Sequence, residues 1–131
     1  MSGGVIQRYA FNRTRSAYLA REVRVADTHW SRLVGLMATK PEQFHDGQAL
    51  WIVPCRGVHT MGMRFPIDVV YLDGQQAVVH TEESLAPWRM APVKISAKSV
   101  LELPAQTLQS TGTRVGDHIE IAVAPPGART S

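Results

Sequence analysis

The chain has 131 residues, enough for one domain spanning 1–131 with a core of its own. Apolar residues make up 44% and charged residues 19%, which excludes a disordered chain, and no apolar run approaches the ~18 residues of a membrane helix. The net charge is +3, and 11 of the 14 basic residues are Arg; five of these (Arg8, Arg13, Arg15, Arg21, Arg24) precede or flank Glu22, the first acid.

That basic segment reads either as a solvated strand face or as a surface for phosphate or a membrane. Neither an aromatic-rich RNA-binding signature nor a helix-turn-helix pattern accompanies it, so no nucleic-acid partner is expected. One cysteine excludes an internal disulfide, and the fold does not depend on an oxidising compartment. The first twenty residues lack the apolar core of a signal peptide, so the chain as given is expected in the cytoplasm.

"VIQRYAF" (5–11) and "AYLAREVRVA" (17–26) read as strands. In the second, Leu19, Val23 and Val25 share one parity and Glu22 and Arg24 the other, with Arg21 breaking the alternation. After Ala26 the period changes. Asp27 or Thr28 can cap a short helix carrying Trp30, Leu33, Val34 and Met37, limited by Pro41. "GQALWIVP" is a buried strand closed by Pro54, "GVHTMGM" is strand-like, and Pro66 interrupts before "IDVVYL". Asp73-Gly74 turns the chain, with Gln75 and Gln76 lengthening the loop, and "QAVVHT" returns. Residues 82–98 read as a long loop around Pro87 and Pro92. "KSVLELP" and "GTRVGDHIEIAV" are the last strands, and the 124–131 tail is expected to fray. About seven short strands and one short helix predict a mainly β protein, a compact antiparallel sandwich or distorted barrel.

Five motifs occur in a fixed order: "RLVGLM" (32–37), "ALWIVPC" (49–55), "HTMGMRFPIDVVYLD" (59–73), "LELP" (101–104) and "GD" (116–117). In these the chain closely resembles the prokaryotic family of domain of unknown function 192, over roughly residues 20–123. The resemblance implies a compact β-rich domain of the sandwich type and carries no assigned activity. Many members bear an export signal or lipoprotein anchor, and this sequence shows none. Gln106 stands where the family often has Gly.

The chemistry-bearing residues cluster in "PCRGVHTMGMRFPIDVVYLDG" (54–74). A nucleophilic Cys55 needs a base within reach, and in an extended strand His59 lies about 13 Å away. The two meet only if Gly57 turns the chain, and Arg56 and Arg64 could then lower the thiol pKa. The alternative is a buried structural thiol. Cys55, His59, Met61 and Met63 are soft ligands, but His59 and Met63, the outer two of the three on one strand face, lie about 13 Å apart, so no metal is expected. Asp68, in an apolar strand, needs a partner: Arg64, Arg89, His59 or backbone N–H groups at the Pro66 corner. It either holds the Met63–Asp68 bend in shape, or orients His59 or binds a polar ligand group. Glu102 alternates away from Leu101 and Leu103 and reads as a solvated outer-face charge. Trp88-Arg89 either closes over residues 54–68 or packs on the sheet. The ligand-binding candidates are therefore Cys55, His59, Met63, Arg64, Asp68, Trp88 and Arg89. The leading function is a non-catalytic module binding a small molecule or protein partner near 54–68, without a cofactor. The alternative is a hydrolase or transferase using Cys55, His59 and Asp68.

Overall fold

A computed structural model describes residues 7–27 and 44–124. The expected helix after Asp27, and all of the tail beyond Ala124, lie outside the described residues.

Seven strands form one sheet: β1 (Arg8–Asn12), β2 (Ala17–Ala26), β3 (Gln48–Ile52), β4 (Ile67–Leu72), β5 (Val78–Leu85), β6 (Ser99–Pro104) and β7 (Ile119–Val123). The spatial order is β5-β4-β6-β3-β2-β1-β7. Every pairing is antiparallel except β2–β3, where Glu22 to Ala26 run parallel to Gln48 to Ile52. The two outer strands approach at an Ala77–His118 bridge. Amide bonds from Val78 to the Asp117 carbonyl (2.8 Å) and from Gly116 to the Val78 carbonyl (2.9 Å) hold it. The sheet is thereby curled into a half-barrel, the second of the two expected architectures.

Local sequence explains the irregularities. Arg21, which breaks the alternation of β2, sits at a bulge. The β1–β2 register shifts between Arg8/Ala10, and the amides of Arg21 and Glu22 both reach the Gly47 carbonyl (2.9 and 3.0 Å). The freed guanidinium lies 3.9 Å from the Tyr18 ring centroid. In the 73–77 turn, Asp73 Oδ1 accepts from the amides of Gln75 and Ala77 (2.9 and 3.0 Å), and Gln76 takes the left-handed conformation (φ 66°). Beyond it β5 runs on to Leu85, so the loop begins four residues later than the expected 82.

One helical turn, α1 (Thr107–Thr111), follows β6 and is entered through Gln106, also left-handed at φ 76°. The proline-poor "GVHTMGM" does not join the sheet; only His59 makes an isolated bridge, to Met90. The Val58 carbonyl and the Thr60 amide and carbonyl bond residues 88–91 instead.

Strands β4 and β6 are buried on both faces. Inside the curl, Val70, Leu72, Leu101 and Leu103 pack with Ala10, Leu19, Val23, Ile119 and, from α1, Leu108. On the opposite face Ile67, Val69, Tyr71, Leu50, Ile52 and Val100 are covered by Phe44, Met63, Ala91 and Ala97 from the connecting segments. Each wholly buried Leu or Ile in these layers contributes about 1.5–3 kcal/mol. The connecting segments are thus a second wall of the core, and the candidate residues belong to them.

Candidate functional site

Residues 54–61 and 88–94 run antiparallel as an irregular flap over the outer sheet face. The bonds are Lys94 N–H to Arg56 O (2.9 Å), Ala91 N–H to Val58 O (3.0 Å) and Thr60 N–H to Arg89 O (2.8 Å). Thr60 is the hub. Wholly buried, its hydroxyl donates to the Ala86 carbonyl (2.6 Å) and accepts from the Arg89 amide (2.9 Å). Its carbonyl takes the amides of Met63 (3.1 Å) and Trp88 (2.9 Å). Sequence reading passed over this residue, because a threonine between a histidine and a methionine carries no distinguishing signal. Tyr71 rivets the flap to the sheet: its hydroxyl donates to the Pro92 carbonyl at 2.7 Å. Burial, then the charges of Glu82 and Cys55, push the Tyr71 phenol up to about 12, so it remains a donor at any ordinary pH.

Gly57 does not turn the chain back on itself; its role is close approach. A Cβ there would stand 3.2 Å from Val93 Cγ2 and 3.3 Å from the Pro92 carbonyl oxygen. Cys55 is half-buried and its thiol donates to the Gly57 carbonyl (2.9 Å). His59 is exposed, and its Nδ1 accepts the Met61 amide (3.2 Å). Met63 is buried in the outer core layer. Arg64 and Arg89 are exposed. Trp88 neither seals residues 54–68 nor packs on the sheet. Its backbone is tied to Thr60 while its side chain is 62% exposed on a left-handed residue (φ 62°).

Asp68 is wholly buried, and its carboxylate accepts the Ser84 amide at Oδ1 and the Leu108 amide at Oδ2, both at 2.8 Å. The partners are backbone amides, but those of Ser84 and Leu108 in distant segments and not those expected at the Pro66 corner. Among the described residues Asp68 bonds neither His59 nor Cys55. It ties β4 to the end of β5 and to the start of α1.

Glu102 corrects the sequence reading. It is 3% exposed, and its Oε1 has no hydrogen-bond partner. It lies on the outer face opposite Leu50 and Val69, under the covering segments. Burial pushes its carboxyl up to about 8. A second polar cluster joins the β1–β2 turn to the segment before β7. Arg15 pairs bidentately with Asp117 (3.0 and 3.1 Å), and Asn12 Nδ2 and the Arg114 amide add bonds of 2.9 and 3.1 Å. Burial raises the Asp117 pKa, but the bonds from Arg15, Asn12 and the Arg114 amide outweigh it and hold the carboxyl below its ordinary value. Arg13 pairs with Glu120 at 2.8 Å. Three of the five N-terminal arginines (Arg13, Arg15 and Arg21) are therefore engaged within the domain.

Beside the flap, Pro54, Cys55, Arg56, Ala97 and Lys98 line a cavity of about 320 Å³. Its walls are fixed by backbone bonds from Cys55 N–H to Lys98 O (2.9 Å) and from Lys98 N–H to Leu72 O (2.7 Å). Among the described lining residues two are cations and none is an acid. Among the described residues no group of three or more His, Cys, Asp or Glu is placed to hold a metal, and no helix is long and apolar enough to cross a membrane.

A curled mixed sheet with this motif order defines a class of small β domains without an assigned activity. The chain belongs to the DUF192 family ("Uncharacterized ACR"), whose pattern it matches over residues 10–121. It is 32% identical over 114 residues to a UPF0127 protein of Pyrococcus furiosus, covering 83% of this chain and 94% of that one. A UPF0127 protein of Pyrococcus horikoshii is 31% identical, with 83% and 95% covered. In three dimensions the chain is similar to a protein of unknown function from Novosphingobium aromaticivorans (TM-score 0.73, 17% identity, 86% and 82% covered). It is also similar to a protein of Sinorhizobium meliloti described as a candidate transcription regulator (TM-score 0.71, 20% identity, 91% and 97% covered). At those identities the two structures speak for the fold alone.

Proposed function

We propose that the protein is a non-catalytic binding module, and that the cavity at Pro54–Arg56 and Ala97–Lys98 takes a small anionic group, a carboxylate or phosphate. The observation that carries this reading is the pairing of Arg56 and Lys98 around about 320 Å³ of space, with no acid among the described lining residues. The volume is at the lower end for a small-molecule site. Preformed walls favour it, because little ordering entropy is spent on binding. The enzymatic alternative is weaker: the Cys55 thiol is directed to a carbonyl, and Asp68 is consumed by two amides.

Cys55 lines the cavity and so reports on it. Inorganic phosphate and short dicarboxylates should raise the melting temperature and slow iodoacetamide labelling of Cys55. The doubly substituted Arg56→Glu, Lys98→Glu protein should fold and lose both effects. No thermal shift with any anion, together with labelling that is fast and anion-independent, would overturn the reading.

A further inference from the structure

The flap carries a surface that the cavity does not account for. Between Trp88 and Ile95 four large apolar side chains stand in solvent: Trp88 at 62%, Met90 at 75%, Val93 at 70% and Ile95 at 84% exposed. Met61, next to the Thr60 hub, adds a fifth at 36%. Soluble domains scatter single exposed apolar residues, but so many on one short loop mark an interaction surface. The charge carried by the flap's own segments has one sign. Segments 53–66 and 86–98 contain Arg56, Arg64, Arg89, Lys94 and Lys98 and no Asp or Glu. The other nine cations are outnumbered by the 11 acids, so these two segments alone make the protein basic.

We propose that this flap docks the protein on the surface of an anionic lipid bilayer, with Trp88, Met90, Val93 and Ile95 entering the interfacial region and the basic rim facing the headgroups. Three features favour a bilayer over a protein partner. The side chains protrude singly from an irregular loop, and a fluid interface accepts such an arrangement where a protein would need a matching pocket for each. Trp is suited to the headgroup level by its apolar body and polar N–H. Apolar insertion and a polybasic rim together give the two signals that stable peripheral binding needs. The loop is also pre-ordered by Thr60 and by Tyr71–Pro92, so insertion costs little further ordering. This surface stands independently of the anion cavity, because the apolar side chains carry it.

The test is co-sedimentation with vesicles of phosphatidylcholine alone and of phosphatidylcholine with phosphatidylglycerol, at low and near-physiological salt. Binding to the anionic vesicles, reduced by salt, is expected. Trp88→Ser with Ile95→Ser should lower the partition coefficient at least roughly tenfold, and Arg89→Glu with Lys94→Glu should lower binding to anionic vesicles selectively. All four positions are exposed or half-exposed, so both variants should melt like the parent, which circular dichroism checks. Absence of vesicle binding overturns the proposal. Binding that the Trp88/Ile95 variant retains in full also overturns it, since plain electrostatic adsorption then suffices. Self-association lost in that variant, without vesicle binding, overturns it in favour of a second copy as the occupant.

Discussion

The Asp68 carboxylate accepts the Leu108 amide at 2.8 Å across forty residues of sequence, from a position with no solvent exposure. With Ser84 on its other oxygen it ties β4 to the end of β5 and to the first turn of α1. In Asp68→Asn, one of these amides would face an NH2 group in place of an acceptor. The expected cost is about 1–3 kcal/mol in urea denaturation, the penalty for an unsatisfied buried donor. Anion protection of Cys55 should be unchanged, and its loss with stability intact would return Asp68 to the ligand site.

Glu102 predicts a loss of stability toward alkaline pH. Its carboxyl has an ordinary value of 4.5 and is pushed by burial to about 8 in the folded protein. Below pH 4.5 both states hold the proton and the stability is full. Between 4.5 and about 8 only the folded state keeps it, so stability falls as pH rises, by at most about 1.4 kcal/mol per unit. Above about 8 the loss is complete. Glu102→Gln should flatten this slope and leave the protein roughly 2–4 kcal/mol more stable at pH 8. Denaturation midpoints of the two proteins across pH 5–9 give the answer, and parallel curves would contradict it.

Asp117 works at the other end of the scale. Its folded pKa lies below the ordinary 3.8, so its contribution is present above that value and is lost as pH falls through the folded pKa. Asp117→Asn breaks the bidentate bond to Arg15 and should cost about 1–3 kcal/mol at neutral pH. It should also make acid unfolding shallower. Ellipticity followed from pH 6 to pH 2 tests both.

Gln106 holds a left-handed backbone at the entry to α1 (φ 76°), a conformation that costs a residue with a Cβ about 1–2 kcal/mol. Gln106→Gly removes that strain but frees the unfolded chain, a loss of about 0.5–1 kcal/mol. The net expectation is a gain of several tenths to about 1 kcal/mol, read as a raised melting temperature.

What the sequence made legible was local. Leu19 and Val23 gave β2, Arg21 marked the bulge, and Asp73 set the turn before β5, because each acts within a few residues of itself. Glu102 was misread for a physical reason. Alternation tells which face of a strand a residue takes, and on β6 the outer face is roofed by segments 53–66 and 86–98, which no periodicity reveals. The partners of Asp68 were hidden in the same way, since backbone amides have no sequence signature. Cys55, His59 and Asp68 looked like one constellation because they are close in the chain. The fold assigns them to a cavity wall, an exposed flap and a buried brace.

The pairing of β7 with β1 has a consequence for how the domain is made. Of the described strands β1 is made first, yet its outer neighbour, from Ile119 to Val123, is almost the last segment of the matched region to emerge. Until then Arg8 to Asn12 have only β2 beside them, and the Thr113 and Asp117 groups that the Asn12 amide bonds in the finished fold sit on a segment that β7 has not yet anchored. Assembly is therefore gated by the emergence of β7. Nascent domains stalled before Ile119 should remain protease-sensitive around residues 8–20, and resistance should appear in a single step once β7 is released.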